Sequence, residues 1–209
     1  MLKFKRIIAY TIDMIFLCFL SALIINSPIL NFNTDDVDRY REAVTSKMSN
    51  INYDEYFQQK DAYSYLKDYA GQEYYDLIKS QVYEFALYLG IYFLYFVVFA
   101  FFNQGRTLGC VFLKLKVVNE KNTKPGIISL FVRSLLLGSQ LLFINPIFTL
   151  FAIILPRVLS VNTAFLPIFT IFGITLIIEL AALCIFLFNK DNMSLQDYLA
   201  KTKVLEYKR

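Results

Sequence analysis

Four stretches of this chain are long and apolar enough to cross a bilayer, a task that needs about 20 mostly apolar residues in a helix. They run over about 7–25, 83–102, 135–155 and 164–188, with Asp13 and Glu179 as the acids well inside them. Together they use nearly half of the 209 residues, which leaves too little chain for a large water-soluble core. Composition agrees. Hydrophobic residues make up 57% and charged residues 18%, with a mean hydropathy of +0.48, against about a quarter charged in ordinary globular domains. The first run is too long for a signal peptide and no small-residue cleavage site follows it, so it reads as a retained span. The pattern predicts an all-α membrane protein, a four-span helix bundle.

Lys and Arg sort the connections between these runs. The N-terminus, the 103–134 loop and the 189–209 tail hold fourteen of the 21 basic residues against four acids. The 26–82 segment holds ten acids and six bases. The positive-inside rule then puts both termini, the loop and the tail in the cytoplasm, and 26–82 outside. An even number of spans agrees with that sorting. The outer segment has few helix breakers and apolar or aromatic residues at spacings of three and four. It reads as two or so amphipathic helices, with Tyr56, Tyr63, Tyr74 and Leu77 on one face and a bend at Gly71. Eight of the fifteen tyrosines lie there. They suit either a cap at headgroup level or a face for another membrane complex.

Residue types exclude several chemistries. The chain has no histidine, which removes His triads, His metal sites and imidazole relays. Cys18, Cys110 and Cys184 form no CxxC pair, so no zinc site is expected. No enzyme activity, cofactor, resident metal or nucleic-acid partner is expected; the lipid bilayer is the partner the pattern demands.

Asp13 and Glu179 are the most informative single residues. An acid within a spanning helix costs about 2.5–3.5 kcal/mol on insertion scales unless it is paired, protonated or facing water. Counted from the cytoplasmic ends of their spans, Asp13 lies about 10 Å deep and Glu179 about 13 Å, at 1.5 Å per residue. Gln140, Asn145, Thr11 and Thr175 fall near the same level. Two carboxylates with such oxygens could hold a proton or a hard monovalent cation such as Na⁺, which is the minimal chemistry of an antiporter. The plainer alternative is a buried salt bridge of Asp13 with Arg6 or Arg133. Four spans are few for a transporter, so a homodimer would help to supply a pathway.

The cytoplasmic parts carry their own pattern. Thr107, bracketed by Gly105 and Gly109, opens a short interfacial helix over about 107–113. The next stretch, LKVVNEKNTKPGI, reads as a hairpin turning near Lys121–Asn122. Ser194 can cap a short tail helix, and TKVLE has strand character. The expectation is that 202–206 pairs with 115–119.

These motifs carry a resemblance to the RDD family of bacterial membrane proteins. The opening KRIIAYTIDMIFL is similar to the family's first span, with Arg6 and Asp13 at its signature positions. GRTLGCVFLKLKVV resembles the family's glycine-threonine-glycine segment, with Cys110 where a Lys is usual. Arg133 stands where an Arg often precedes the next span, and SLQDYLAKTKVLE makes Asp197 the second signature aspartate. The resemblance implies a compact domain of the bacterial inner membrane with a role in transport, some members resembling cation/proton antiporters. It also implies that Asp197 ties the tail to the inner loop through Arg106 or Arg133. The alternative function is a non-enzymatic accessory, assembly or protection factor of another membrane complex, acting through residues 26–82.

Overall fold

The computed structural model describes residues 2–25, 27, 34–52, 62–137 and 145–207. Helix α1, Leu2–Ile25, is 24 residues long, or about 36 Å at 1.5 Å per residue, which exceeds a hydrocarbon core of about 30 Å. Arg6, Ala9, Asp13, Leu17 and Ser21 recur every three or four residues and are all buried. Phe4, Ile15, Phe19 and Leu23 are exposed on the remaining surface, where lipid is the natural neighbour. One face of α1 is thus polar and internal, the opposite of a water-soluble helix.

Helices α2 (Thr34–Ser49) and α3 (Ala62–Ser80) follow and pack on each other. Lys47 joins them: its ammonium lies 2.5 Å from Glu73 and donates to the Tyr69 carbonyl. That bond to Lys47 holds the Glu73 carboxyl below its usual range. The segment is helical as expected, with two corrections. Gly71 lies inside α3 without a bend; the break comes ten residues later, at Gln81. The buried stripe of α3 is Ala70, Tyr75 and Ile78 rather than the face through Tyr74 and Leu77; Tyr56 and the side chain of Tyr63 lie outside what is described. Tyr75 decides this, because its hydroxyl donates to the carbonyls of Pro156 and Leu159 at 2.9 and 3.1 Å. A buried tyrosine needs such a partner, and only this register supplies it.

Helix α4, Val82–Phe102, crosses next. Its stretch Leu94–Phe99 is a π-helix. Tyr92, Tyr95 and Phe96, three and four residues apart, share one inward face and pack on Met14 and Leu17 of α1. The short helix α5, Leu108–Phe112, leads to strand β1, Leu115–Asn119. A turn with Asn122 at φ 61° follows, and then helix α6, Ile127–Leu135. The turn falls where expected, but the chain beyond it does not pair with β1. The partner is β2, Thr202–Glu206, as expected, and the pair is antiparallel with register from Leu115↔Glu206 to Asn119↔Thr202.

The third predicted span, 135–155, is not one helix. Helix α6 ends in a turn at Leu136–Leu137, and α7 begins at Pro146 and runs to Val158. Asn145 accepts from the Ile147 and Phe148 amides, and Pro146 has no amide to continue an earlier helix. At 13 residues α7 is about 20 Å long, short of a bilayer's core. Helix α8, Val161–Phe188, contains the last long apolar run, Thr170–Phe188. Three described helices are therefore long and apolar enough to span: α1, α4 and the second part of α8.

The N-terminus of α1, the C-terminus of α8 and both strands gather at one end. Lys5 pairs with Glu206 at 2.9 Å, and Lys3 donates to the Leu187 carbonyl. The register gives a direct test. In a cysteine-free background, Lys116→Cys with Leu205→Cys should crosslink on mild oxidation, seen as a gel shift. Lys116→Cys with Lys203→Cys, two residues out of register, should not.

Candidate functional site

The sequence places a five-residue helix, α9 (Leu195–Leu199), just before β2. So short a helix holds together only with capping. Asp197, its third residue, accepts from the Ser194 amide at 2.9 Å and the Ser194 hydroxyl at 2.7 Å, both through Oδ2. The same carboxylate is fully buried between two guanidiniums. Arg6 of α1 donates to Oδ2 at 2.6 Å, and Arg133 of α6 donates to Oδ1. Arg6 also reaches the Ser194 hydroxyl and the Asn192 carbonyl, while Arg133 reaches Thr202 of β2. Burial pushes the Asp197 carboxyl up, but Arg133, Arg6 and the Ser194 bonds outweigh it and hold it well below the usual carboxylate range. One side chain therefore joins the first span, the inner loop and the tail.

Of the two partners expected for Asp197, the structure selects Arg133. Arg106 turns away: it donates to the Asn103 carbonyl at 3.1 Å and lies over the Tyr207 ring. Arg6 is committed to Asp197, so the expected ion pair of Asp13 with Arg6 or Arg133 does not form. Asp13 accepts instead from three neutral donors. The Tyr95 hydroxyl is 2.5 Å away and the Gly109 amide 2.7 Å, both on Oδ1; the Thr107 hydroxyl is 2.6 Å away on Oδ2. The π turn of α4 brings Tyr95 there, and the bend before α5 brings the other two.

Two glycines make that bend fit. Gly105 has φ +79°, a left-handed conformation that a Cβ disfavours, and a Cβ there would also strike the Val117 carbonyl. A Cβ on Gly109 would collide with the Ala9 carbonyl, so α5 touches the α1 backbone. Thr107 between them caps α5 by accepting from the Cys110 amide at 3.3 Å while donating to Asp13. Burial raises the Cys110 thiol pKa, which keeps it an inert thiol.

Glu179, from α8, accepts from the Asn145 side chain at 2.7 Å. Asp13 and Glu179 line the same cavity, of about 510 Å³, along with Arg6 and Arg133. Of the other residues expected at this level, Thr175 is buried and donates to the Ile171 carbonyl. Thr11 is exposed and donates to its own helix. Gln140 lies outside the described residues. The residues the pattern did not single out are Tyr95 and Thr202. Tyr95 is masked by the aromatic run around it, and a π turn has no sequence signature.

The class defined here is a helical membrane protein whose signature charges lock its two ends together beneath a polar-ended cavity. A family model for the RDD family matches residues 3–201, and the chain belongs to that family. Neither a curated protein nor a solved structure matches it.

Two outcomes test the clasp. Asp197→Asn should lower stability by about 3–5 kcal/mol, the cost of leaving buried charge unpaired, read by denaturant unfolding in detergent. Because the folded pKa of Asp197 is depressed, its contribution is fully present above about pH 4, the unfolded value. The gap between wild type and Asp197→Asn should stay constant from pH 7 to about 5 and shrink only below about 4. Gly109→Ala should cost about 1–3 kcal/mol through overpacking against α1 in the same assay.

Proposed function

We propose that this RDD-family protein is a secondary transporter that exchanges a monovalent cation for protons. The observation that carries the reading is the environment of Asp13. It is a carboxylate buried in a membrane span, and none of its partners among the described residues is a cation. Its three hydrogen bonds favour the ionised form, and the charge that they leave unneutralised can take up a proton or a cation. Glu179, on a different span, lines the same cavity, so one opening reaches two carboxylates. Like charges in a shared low-dielectric space make protons and cations compete. Both termini lie in the cytoplasm of a bacterial cell in this reading, which rests on the basic loops. Two copies side by side would widen the pathway that so few spans can enclose.

A second reading draws on the same hydrogen bonds. Asp13 joins α1, α4 and α5, and Asp197 joins α1, α6 and the tail, so both signature acids also serve as internal clasps. If that is their whole role, the protein is an accessory factor of another membrane complex and α2–α3 is its working face.

Asp13→Asn separates the two. The amide keeps Oδ1 for Tyr95 and Gly109, and the Thr107 hydroxyl can turn to accept from the new NH₂, so the variant should fold. In liposomes with a trapped pH dye, external Na⁺, Li⁺ or K⁺ should produce a pH change with wild type that falls at least about tenfold with Asp13→Asn, or by about 1.4 kcal/mol. No pH change from folded wild type with these ions or with an organic ammonium would favour the accessory factor.

A further inference from the structure

The cavity beside Asp13 is much larger than a small inorganic ion needs. A hard cation is held by several oxygens converging at about 2–2.6 Å. The cavity is about 510 Å³, within the range of roughly 300–1,000 Å³ that takes small organic ligands. Its walls are largely carbon, from Ile7, Phe96, Leu137, Leu180, Leu183 and Phe186. Three donors already engage the oxygens of Asp13, which leaves about one lone-pair site, on Oδ2, for a naked ion.

The cavity lies just inside the outer surface of the bundle. Ile7 on α1, and Leu180 and Leu183 on α8, line it and are at the same time 43%, 47% and 47% exposed. These residues sit on spanning helices, so the wall they form faces the region of lipid tails. A ligand passing between them would come out of the bilayer, apolar part included.

The polar end sets the sign of the ligand. Asp13 and Glu179 are there, and Arg6 and Arg133 are held by Asp197. With all five ionised, two guanidiniums against three carboxylates leave one negative charge. The side chains of Tyr10 and Phe96 also line the cavity, and aromatic rings attract an ammonium.

We infer that this cavity is a binding site for an amphiphilic organic cation, a protonated amine with an apolar body, entering laterally between α1 and α8. The ammonium sits by Glu179 and Asp13, and the body lies along Leu180, Leu183 and Phe186. This deepens the exchanger reading by naming its substrate class and rests on that reading only for transport; binding stands on the cavity itself.

A matched pair of probes tests it: 4-phenylbutylammonium and the uncharged 4-phenylbutanol, titrated calorimetrically into the protein in nanodiscs, with empty nanodiscs subtracted. The ammonium should bind saturably and at least about tenfold more tightly than the alcohol. Glu179→Gln, which keeps an acceptor for Asn145, and Leu183→Trp, which fills the opening without touching charge, should each weaken it by about tenfold or more. Unchanged thermal unfolding would show both variants folded; a third, Leu183→Phe, serves if the tryptophan disturbs folding. Equal binding of the alcohol, or binding indifferent to both variants, would overturn the inference. So would a Na⁺-driven pH change in liposomes from protein that binds no ammonium probe, which would leave the exchanger standing. Ammonium binding with no pH change for any cation would support the site and sink the exchanger instead.

Discussion

The buried Asp197 carboxylate between Arg6 and Arg133 is the interaction on which the remaining structure depends. A lone buried charge costs several kcal/mol, and removing one partner of a buried pair typically costs about 3–5 kcal/mol. Three charges with every polar partner in place are tolerated, because Ser194, Asn192 and Thr202 complete the network. The arrangement fixes which end of α1 meets which end of α8, and it seats α9 and β2 under the bundle. Without it the strand pair would have to hold the tail alone, and a two-stranded sheet is marginal by itself.

That division of labour frees Asp13. Both guanidiniums face Asp197, so among the described residues the acid deeper in α1 is met by hydroxyls and an amide. The two acids of the family signature thus live in opposite environments. One is saturated with positive charge and stays ionised; the other is held by neutral donors beside a cavity. The glycine pair at 105 and 109 enforces the difference by letting α5 press against α1 and deliver its amide to Asp13.

Much of this was legible in the residues. Hydropathy located α1, α4 and the end of α8, because a run of apolar side chains is a strong one-dimensional signal. The β1–β2 pairing was also legible, and the family pattern pointed to Asp197 while leaving its partner open between Arg106 and Arg133. The break at Asn145–Pro146 was not, although both residues signal a helix start; apolar neighbours on both sides concealed it. The partner of Arg6 was misread because sequence distance favoured Asp13, seven residues on, over a carboxylate 191 residues away. Helical spacing gives the face a residue occupies and says nothing of what folds back against it.

That separation of 191 residues has a bearing on biogenesis. At synthesis rates of about 5–20 residues per second, Arg6 leaves the ribosome on the order of 10–40 s before Asp197 exists. Through that interval the first span carries a cation with no counter-charge, and its long side chain must snorkel to the headgroups. Docking of the tail then draws the guanidinium inward and completes the α1 interior.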